Sequence, residues 1–445
     1  MTIFICKCDN VMQQLTIKNF GPINSLTLDI KDFTLLIGPQ ASGKSTIAKT
    51  IFFFKSLNDD LVKYFIDSID KKDFSKPTGT YAKAIRQKFL DYFGATTHLN
   101  GLELKFRYTE NVWISITLEG NHKYVTPNFS KPFEESFKNL VFEGTEFLKR
   151  FGRKNPALLT SKDLLNLDTE KRKFIAILTE KCNELFDENR ELIFIPAGRS
   201  LLATLADQLQ FIDSRRLDFL MRTFVDRINI VRPIFNKSLV DIIKERRLLT
   251  QLAIDFEKTK LAEEIITRIL KGRYQYDKDG EKIFYDNKNY VKLNFSSSGQ
   301  QESLWILLLL FIMILEQQNV FIVIEEPEAH LFPEAQREIA HLIALVSNLN
   351  QSQVVITTHS PYILASFNNL ILANKFGESH PDSVSKKIDK KLWVSQDKVY
   401  AALVKKGDVK PIIDKELNIV EQEYIDTVSR QINDEFDFLY SLETV

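Results

Sequence analysis

FTLLIGPQASGKSTIAKTIFFF, residues 33–54, joins a short apolar strand to an apolar helix through a turn that carries two glycines. The turn, Gly38-Pro39-Gln40-Ala41-Ser42-Gly43-Lys44-Ser45, fits the pattern GxxxxGK[ST], and its flanks are the elements that this motif needs to work. Glycines let the backbone wrap around a chain of phosphates, so that its N–H groups and the start of the following helix face the anion. Lys44 then reaches the terminal phosphates, and Ser45 holds magnesium. The nucleotide-binding set is Gly38, Pro39, Gln40, Ala41, Ser42, Gly43, Lys44, Ser45 and Thr46. A serine-glycine turn that only resembles the pattern would not need a strand before it and a helix after it.

Downstream, NVFIVIEEPEAHLF (residues 319–332) ends an apolar strand in two adjacent glutamates, with a third carboxylate two residues on. Carboxylates crowded at a buried strand end are unfavourable unless a cation, a substrate or water compensates them. A magnesium-bound nucleoside triphosphate supplies the missing positive charge. Glu325 then holds the metal, directly or through water, and Glu326 orients or deprotonates an attacking water. A solvated strand end is the plain alternative for these two residues taken alone. VVITTHS (residues 354–360) ends a second apolar strand in a polar cluster, which puts His359 beside Glu326 if the two strands are parallel neighbours. His359 there contacts the terminal phosphate; by itself it would read as a capping or buried histidine. His98, His122, His341 and His380 carry no such context.

Ser296-Ser297-Ser298-Gly299-Gln300-Gln301-Glu302 opens the run LWILLLLFIMIL (residues 304–315), so small polar residues sit where helix N–H groups are free to bind an anion. One triphosphate needs one cradle. A second one is therefore offered to a nucleotide held by another copy, although serines capping a helix would give the same pattern.

The remaining sequence bounds the function. With 59 basic and 59 acidic residues among 445 the net charge is zero, which gives no overall electrostatic case for nucleic acid or an anionic membrane. The apolar run of residues 304–315 is shorter than the roughly 18 residues of a membrane span and reads as a buried helix. The opening MTIFICKCDN has no signal-peptide pattern, so a cytoplasmic location is expected. Cys6, Cys8 and Cys182 make neither a disulfide framework nor a zinc spacing. The pattern predicts strands over 15–20, 25–30 and 33–37 and mixed helix and loop over 60–95. Antiparallel strands follow over 101–126, helix over 132–190 and a strand at ELIFIPAGRS (191–200). Helical text broken at Pro233 spans 200–272, with a hairpin turning at Asp279-Gly280 and a βαβ rhythm after residue 297. The tail holds a strand-like LWVSQDKVYAALV and a helix with apolar positions Ile425, Val428, Ile432, Phe436, Leu439 and Leu442, expected to pack on its own domain, with an oligomer contact as the alternative.

In this order the stations resemble the ATP-binding-cassette ATPases, and the variant looks like the SMC, RecF and OLD branch. Gly38–Ser45 matches Walker A, Ser297–Gln301 the signature, Glu325-Glu326 the Walker B pair, Pro327–Leu331 the D-loop and His359 the switch histidine. EEPEAHLFP is close to the EEPEAHLHP form of that branch, and LTIKNFGPI resembles its first strand and turn. The signature is SSGQQ where transporters have LSGGQ, Glu325 stands in place of the common Asp, and no confident Q-loop glutamine is present. The turn IPAGRS takes that position, with Arg199 a phosphate or partner contact, or else a structural ion pair.

The resemblance implies an α/β fold, an ABC-type P-loop NTPase core with a parallel sheet flanked by helices, an antiparallel β subdomain and a compact helical insertion. It implies ATP and Mg²⁺ as cofactors, Lys44, Glu326 and His359 as the catalytic set, Ser45 and Glu325 as metal ligands, and a head-to-tail homodimer in which Ser298 and Gly299 act in trans. The expected parts are 1–60 (core with Walker A), 61–190 (inserted lobe), 191–275 (Q-loop-like turn and helical insertion), 276–385 (signature to switch histidine) and 386–445 (strand and terminal helix). Lys44 and Ser298 stand farther apart than in a transporter subunit, and only 86 residues follow His359, too few for the nuclease domain of OLD proteins. The chain is therefore similar to stand-alone ATPases of anti-phage systems such as Septu and PARIS, with a separately encoded effector such as a nuclease as partner, and no membrane. A RecF-like DNA-binding ATPase is the alternative; residues 237–273, with nine basic against six acidic side chains, are its weak support. A transporter subunit, or a protein that holds ATP without cleaving it, are further alternatives.

Overall fold

The alternating patterns near the N-terminus form a hairpin, β1 (Gln14–Phe20) and β2 (Ile23–Asp29), with Leu15 and Ile17 buried and Thr16 and Lys18 on the other face. A computed structural model gives the structure of residues 12–96, 99, 101–118, 124–151, 161–200, 217–249, 255–349, 351–414, 419–421 and 427–442. Cys6, Cys8, His98, His122, Ile425 and the helical text of 201–216 and 250–254 lie outside the described residues. In chain order β3 (Phe33–Ile37) is followed by α1 (Lys44–Lys55), α2 (Leu57–Lys71), α3 (Pro77–Phe93), β4 (Leu102–Arg107), β5 (Trp113–Leu118) and β6 (Thr126–Phe129). Then come α4 (Lys131–Phe151), α5 (Ser161–Phe186), β7 (Glu191–Ile195), α6 (Phe219–Val231), α7 (Leu239–Leu249) and α8 (Phe256–Leu270). A small sheet of β8 (Arg273–Asp277), β9 (Gly280–Phe284) and β10 (Tyr290–Lys292) precedes α9 (Ser298–Glu316), β11 (Val320–Glu325), α10 (Pro333–Ser347), β12 (Gln353–Thr358) and α11 (Pro361–Gly377). The last elements used below are β13 (Val399–Lys405), β14 (Asp408–Pro411) and α12 (Thr427–Ser441).

The chain divides into two compact units. The first, residues 1–30, 46–192 and 406–408, holds an antiparallel sheet in the order β2-β1-β4-β5-β6, α1 from Thr46 on and the helices from α2 to α5. Its interior is largely aromatic: Phe53, Phe54, Phe89, Phe106 and Tyr108 are buried, and the hydroxyls of Tyr81 and Tyr108 donate to the carbonyls of Leu57 and Phe54. At the last residue of α1, Lys55 forms a fully buried ion pair with Glu188, which also accepts a two-pronged contact from Arg190.

The second unit, residues 31–45, 193–405 and 409–445, is built on a six-stranded sheet in the order β14-β13-β3-β12-β11-β7. Strands β13, β3, β12 and β11 are parallel, as the βαβ rhythm requires. Residues 302–315 of α9 are buried without interruption, so the longest apolar run is the central helix of this core. Ser298–Glu316 is also the one helix among the described residues that is long and apolar enough to cross a membrane.

Two expectations about the tail are corrected. Of LWVSQDKVYAALV only Val399–Lys405 forms a strand; the preceding residues make tight turns, where the Trp393 indole donates to the carbonyl of Ile388. The terminal helix forms, but Ile432, Phe436, Leu439 and Leu442 are exposed and do not pack on the domain that carries it.

Candidate active site

Register decides what the sheet presents. Ile37 pairs with Thr358, and Thr357 with Glu325, so three neighbouring parallel strands end at one level. The residues that follow those ends are Gly38, His359 and Glu326. In open α/β sheets this carboxyl edge is where ligands bind.

The phosphate loop leaves β3 through Gly38, where a Cβ would lie 2.0 Å from the carbonyl oxygen of Val404 on the adjacent strand; only glycine fits there. Gly43 (φ +108°) and Ala41 (φ +57°) take left-handed conformations that curl the loop back toward α1. At Ala41, a non-glycine, this costs about 1–2 kcal/mol. Lys44, buried, folds over the loop and its Nζ donates to the carbonyls of Gly38 (2.7 Å) and Pro39 (2.8 Å). Burial lowers its pKa, and the charges of Glu326 and Glu328 oppose that shift. Ser45 is exposed at the start of α1, and Thr46 follows it on the same helix.

The two adjacent glutamates are separated by backbone geometry. Glu325 ends β11 with its carboxylate buried: Oε2 accepts from the Ala197 N–H (3.3 Å), and Oε1 has no partner. Glu326 takes φ +44°, again left-handed, while its N–H continues the ladder to the carbonyl of Thr357 (2.9 Å). This turn brings its carboxylate to 3.8 Å from His359 Nδ1. Strain of this kind is held in place only where surrounding contacts over-determine it. Glu328, the third carboxylate of the stretch, is buried. Its Oε1 accepts from Thr358 Oγ1 (2.7 Å) and the His359 N–H (2.9 Å) and stands 3.5 Å from His359 Nδ1. Sequence reasoning gave it no role, although it stands in the same motif.

The residues fit a magnesium-bound triphosphate. Glu325 Oε1, Glu328 Oε2, Thr357 Oγ1 and Ser42 Oγ are buried polar atoms without a hydrogen bond, clustered by sequence on the three strand ends and their loop. An unpartnered buried carboxylate oxygen on Glu325 suits a cation ligand. Ser45 and Glu325 offer two protein oxygens, so phosphate oxygens and water would complete the shell of six that magnesium demands.

The signature segment opens α9. Ser297 is the N-cap and, with Gln300, closes a capping box; the Gln300 amide also donates to the Leu270 carbonyl and that of Gln301 to the carbonyls of Asn294 and Ser296. These side chains are therefore used locally, and the group left facing outward is exposed Ser298 at the helix start. Gly299 lies against the D-loop, where a Cβ would stand 2.9 Å from the His330 carbonyl oxygen.

Of the two readings offered for Arg199, the structure gives the ion pair: Arg199 is wholly buried, and its guanidinium is spent inside the protein and not on a phosphate or partner. Nε donates to the Glu302 carbonyl (3.1 Å), Nη1 to those of Pro196 and Glu325 (both 2.7 Å), and Nη2 to that of Glu326 (2.9 Å). The Glu302 carboxylate lies 3.4 Å from Nη2 and accepts from the N–H groups of Arg199 (2.9 Å) and Ser200 (2.5 Å). Burial lowers the Arg199 pKa against the raising effect of Glu302 and the three acids of the strand end. Glu302 was missed; a lone carboxylate fused to a twelve-residue apolar run was the available signal.

A glycine-rich phosphate cradle beside acids at the end of a parallel strand defines a P-loop ATPase of α/β fold. The AAA ATPase domain family matches residues 12–364, most of the chain, and the protein belongs to that family. No match was found among curated proteins. Similar solved structures include an SMC head bound to the C-terminal winged-helix domain of ScpA, at 14% identity and a TM-score of 0.39, covering 92% of this chain and 100% of that one. The SMC head domain from Thermotoga maritima is 12% identical with a TM-score of 0.37, covering 90% and 98%. An SMC head with an extended coiled coil, bound to the C-terminal domain of ScpA and derived from Pyrococcus furiosus, is 14% identical with a TM-score of 0.37, covering 95% and 99%.

Proposed function

We propose that the chain hydrolyses ATP as an ATPase of the SMC, RecF and OLD branch of the ATP-binding-cassette class. The supporting observation is the common level of three strand ends, which sets the phosphate loop, His359 and the acid pair side by side. The loop amides from Gly38 to Ser45 bind the phosphates, and Lys44 Nζ exchanges its bonds to Gly38 and Pro39 for phosphate oxygens. Ser45 and Glu325 would hold magnesium, which when bound neutralises charge on the phosphates. Glu326 takes a proton from the attacking water as its oxygen bonds to the γ-phosphorus and the bond to the β-phosphate bridging oxygen breaks. His359, between Glu326 and Glu328, contacts the γ-phosphate.

In this reading two copies close head to tail around two ATP molecules, and Ser298 with the N–H groups of α9 grips the nucleotide held by the other copy. Hydrolysis removes the bridging phosphate and releases the pair. The assembly serves a bacterial anti-phage complex inside the cytoplasm, with a separately encoded effector. For the DNA-binding alternative, Lys237, Arg246 and Arg268 of residues 237–273 would have to exchange Glu245, Glu316 and Glu338 for phosphates.

The test is ATP turnover of the wild type against Glu326→Gln, with sedimentation in the presence and absence of ATP. The variant should lose about 100-fold or more in rate while binding ATP. Equal rates remove Glu326 from its role, and an ATP-independent mass removes the sandwich. Co-purification of an effector, and loss of phage protection in Lys44→Ala, check the defence role.

A further inference from the structure

The Arg199 guanidinium donates to four carbonyls and stands 3.4 Å from the Glu302 carboxylate, and three of those carbonyls belong to elements that the proposed reaction needs to keep in step. Nη1 and Nη2 hold the carbonyls of Glu325 and Glu326, on either side of the bond that turns Glu326 into its left-handed conformation. On the other side, the guanidinium and the backbone of residues 199–200 hold Glu302, in the second turn of α9, whose first turn carries exposed Ser298. Five donors in a planar fork lock three directions at once, which a lysine ammonium cannot reproduce.

We propose that Arg199 is a positioning residue for Glu326, coupling the aim of its carboxylate to the position of the signature helix through Glu302. This rests on the reading of Glu326 given above. When a phosphate presses on the start of α9, the helix carries Glu302, Glu302 carries the 196–200 turn, and Arg199 passes the displacement to the Glu326 carbonyl. The base is then aligned with the attacking water only when the signature is engaged. A hydrophobic side chain at 199 would leave these carbonyls and the buried Glu302 carboxylate without their donor, so the charge pair also carries the local fold.

The test is Arg199→Lys, measured for melting temperature, KM and kcat, alone and combined with Glu326→Gln. Misaiming a reacting group by an ångström costs up to about 100-fold, so kcat should fall by about tenfold or more while KM stays within about threefold. In the double variant Arg199→Lys should add less than about twofold to the loss from Glu326→Gln, because the two act through one group. An unchanged kcat, or losses that multiply in full, overturns the proposal. If Arg199→Lys does not fold, Glu302→Gln serves: it should lower kcat without raising KM, and wild-type kinetics would overturn the coupling. Failure of the hydrolysis reading is seen separately, as wild-type turnover in Glu326→Gln alone.

Discussion

Replacing Gly299 by alanine asks whether the signature glycine serves this chain or only another one. In the structure a Cβ at residue 299 would stand 2.9 Å from the His330 carbonyl oxygen, about 0.5 Å closer than a relaxed carbon–oxygen contact. Neither side yields easily. His330 is itself left-handed (φ +59°), inside a turn closed by Ala329 N–H to Glu326 and Leu331 N–H to Glu328 carbonyls, and α9 is fixed by its buried residues. Overpacking of this kind costs about 1–3 kcal/mol, whereas alanine in place of glycine in a helix returns about 0.5–1. The nucleotide-free variant should therefore lose up to about 2.5 kcal/mol, at about 2–4 °C of melting temperature per kcal/mol for a unit of this size. The assay is thermal unfolding without nucleotide. If the glycine were needed only for a phosphate approaching from a second copy, the variant would melt higher, by the helix-propensity gain alone. A higher melting temperature therefore refutes the D-loop contact.

Ala41→Gly should raise stability by up to about 1 kcal/mol, since it removes the left-handed cost and adds the entropy of glycine; chemical denaturation checks the sign. Lys44→Met should weaken ATP binding by about 10- to 150-fold through lost charge-assisted hydrogen bonds, read by calorimetry. His341, buried in α10, is pushed down to about 4, chiefly by burial, with Arg337 and Arg268 adding to the shift and Glu338 opposing it. Its unfolded form binds a proton below about pH 6.5 that the folded form refuses until about pH 4, so stability falls across that window as pH falls, by up to about 3 kcal/mol; in His341→Gln that slope should flatten. Burial pushes the Cys182 thiol up to about 12, so alkylation at pH 8 should label it only after unfolding, as peptide mass would report.

Much of this was legible because local rules and the fold agree. The phosphate loop declares itself through chemistry that no other turn needs, and β3 before it and α1 after it formed where the apolar pattern placed them. The hairpin at Asp279-Gly280, the helices on either side of Pro233 and the parallel pairing that brings His359 beside Glu326 followed the same logic. What stayed hidden were facts of register and of pairing at a distance. No local signal says that β13 lies next to β3, and hence that Gly38 must be a glycine because of Val404. Arg199 and Glu302 are 103 residues apart, and nothing local to either one names the other as its partner. The terminal helix misled for the opposite reason: its amphipathic pattern was real, but periodicity names a face and not the surface that covers it.

The adjacent glutamates carry the same lesson into chemistry. Their side chains are identical, so nothing in the pair Glu325-Glu326 distinguishes metal ligand from base. Glu325, the last residue in the ladder, keeps the strand conformation and drives its carboxylate into the protein, where one oxygen lacks a partner. One residue on, the left-handed turn at Glu326 redirects the next carboxylate to the half-exposed ring of His359. In the proposed reading environment, and not residue type, separates the two roles, as it does in other sites where two carboxylates differ in burial. It follows that moving the turn matters more than removing either charge. A glycine inserted between Glu325 and Glu326 leaves both acids in the chain but moves Glu326 out of its bonds to Thr357 and Arg199. That insertion should abolish turnover as completely as Glu326→Gln does, while the phosphate loop still binds ATP.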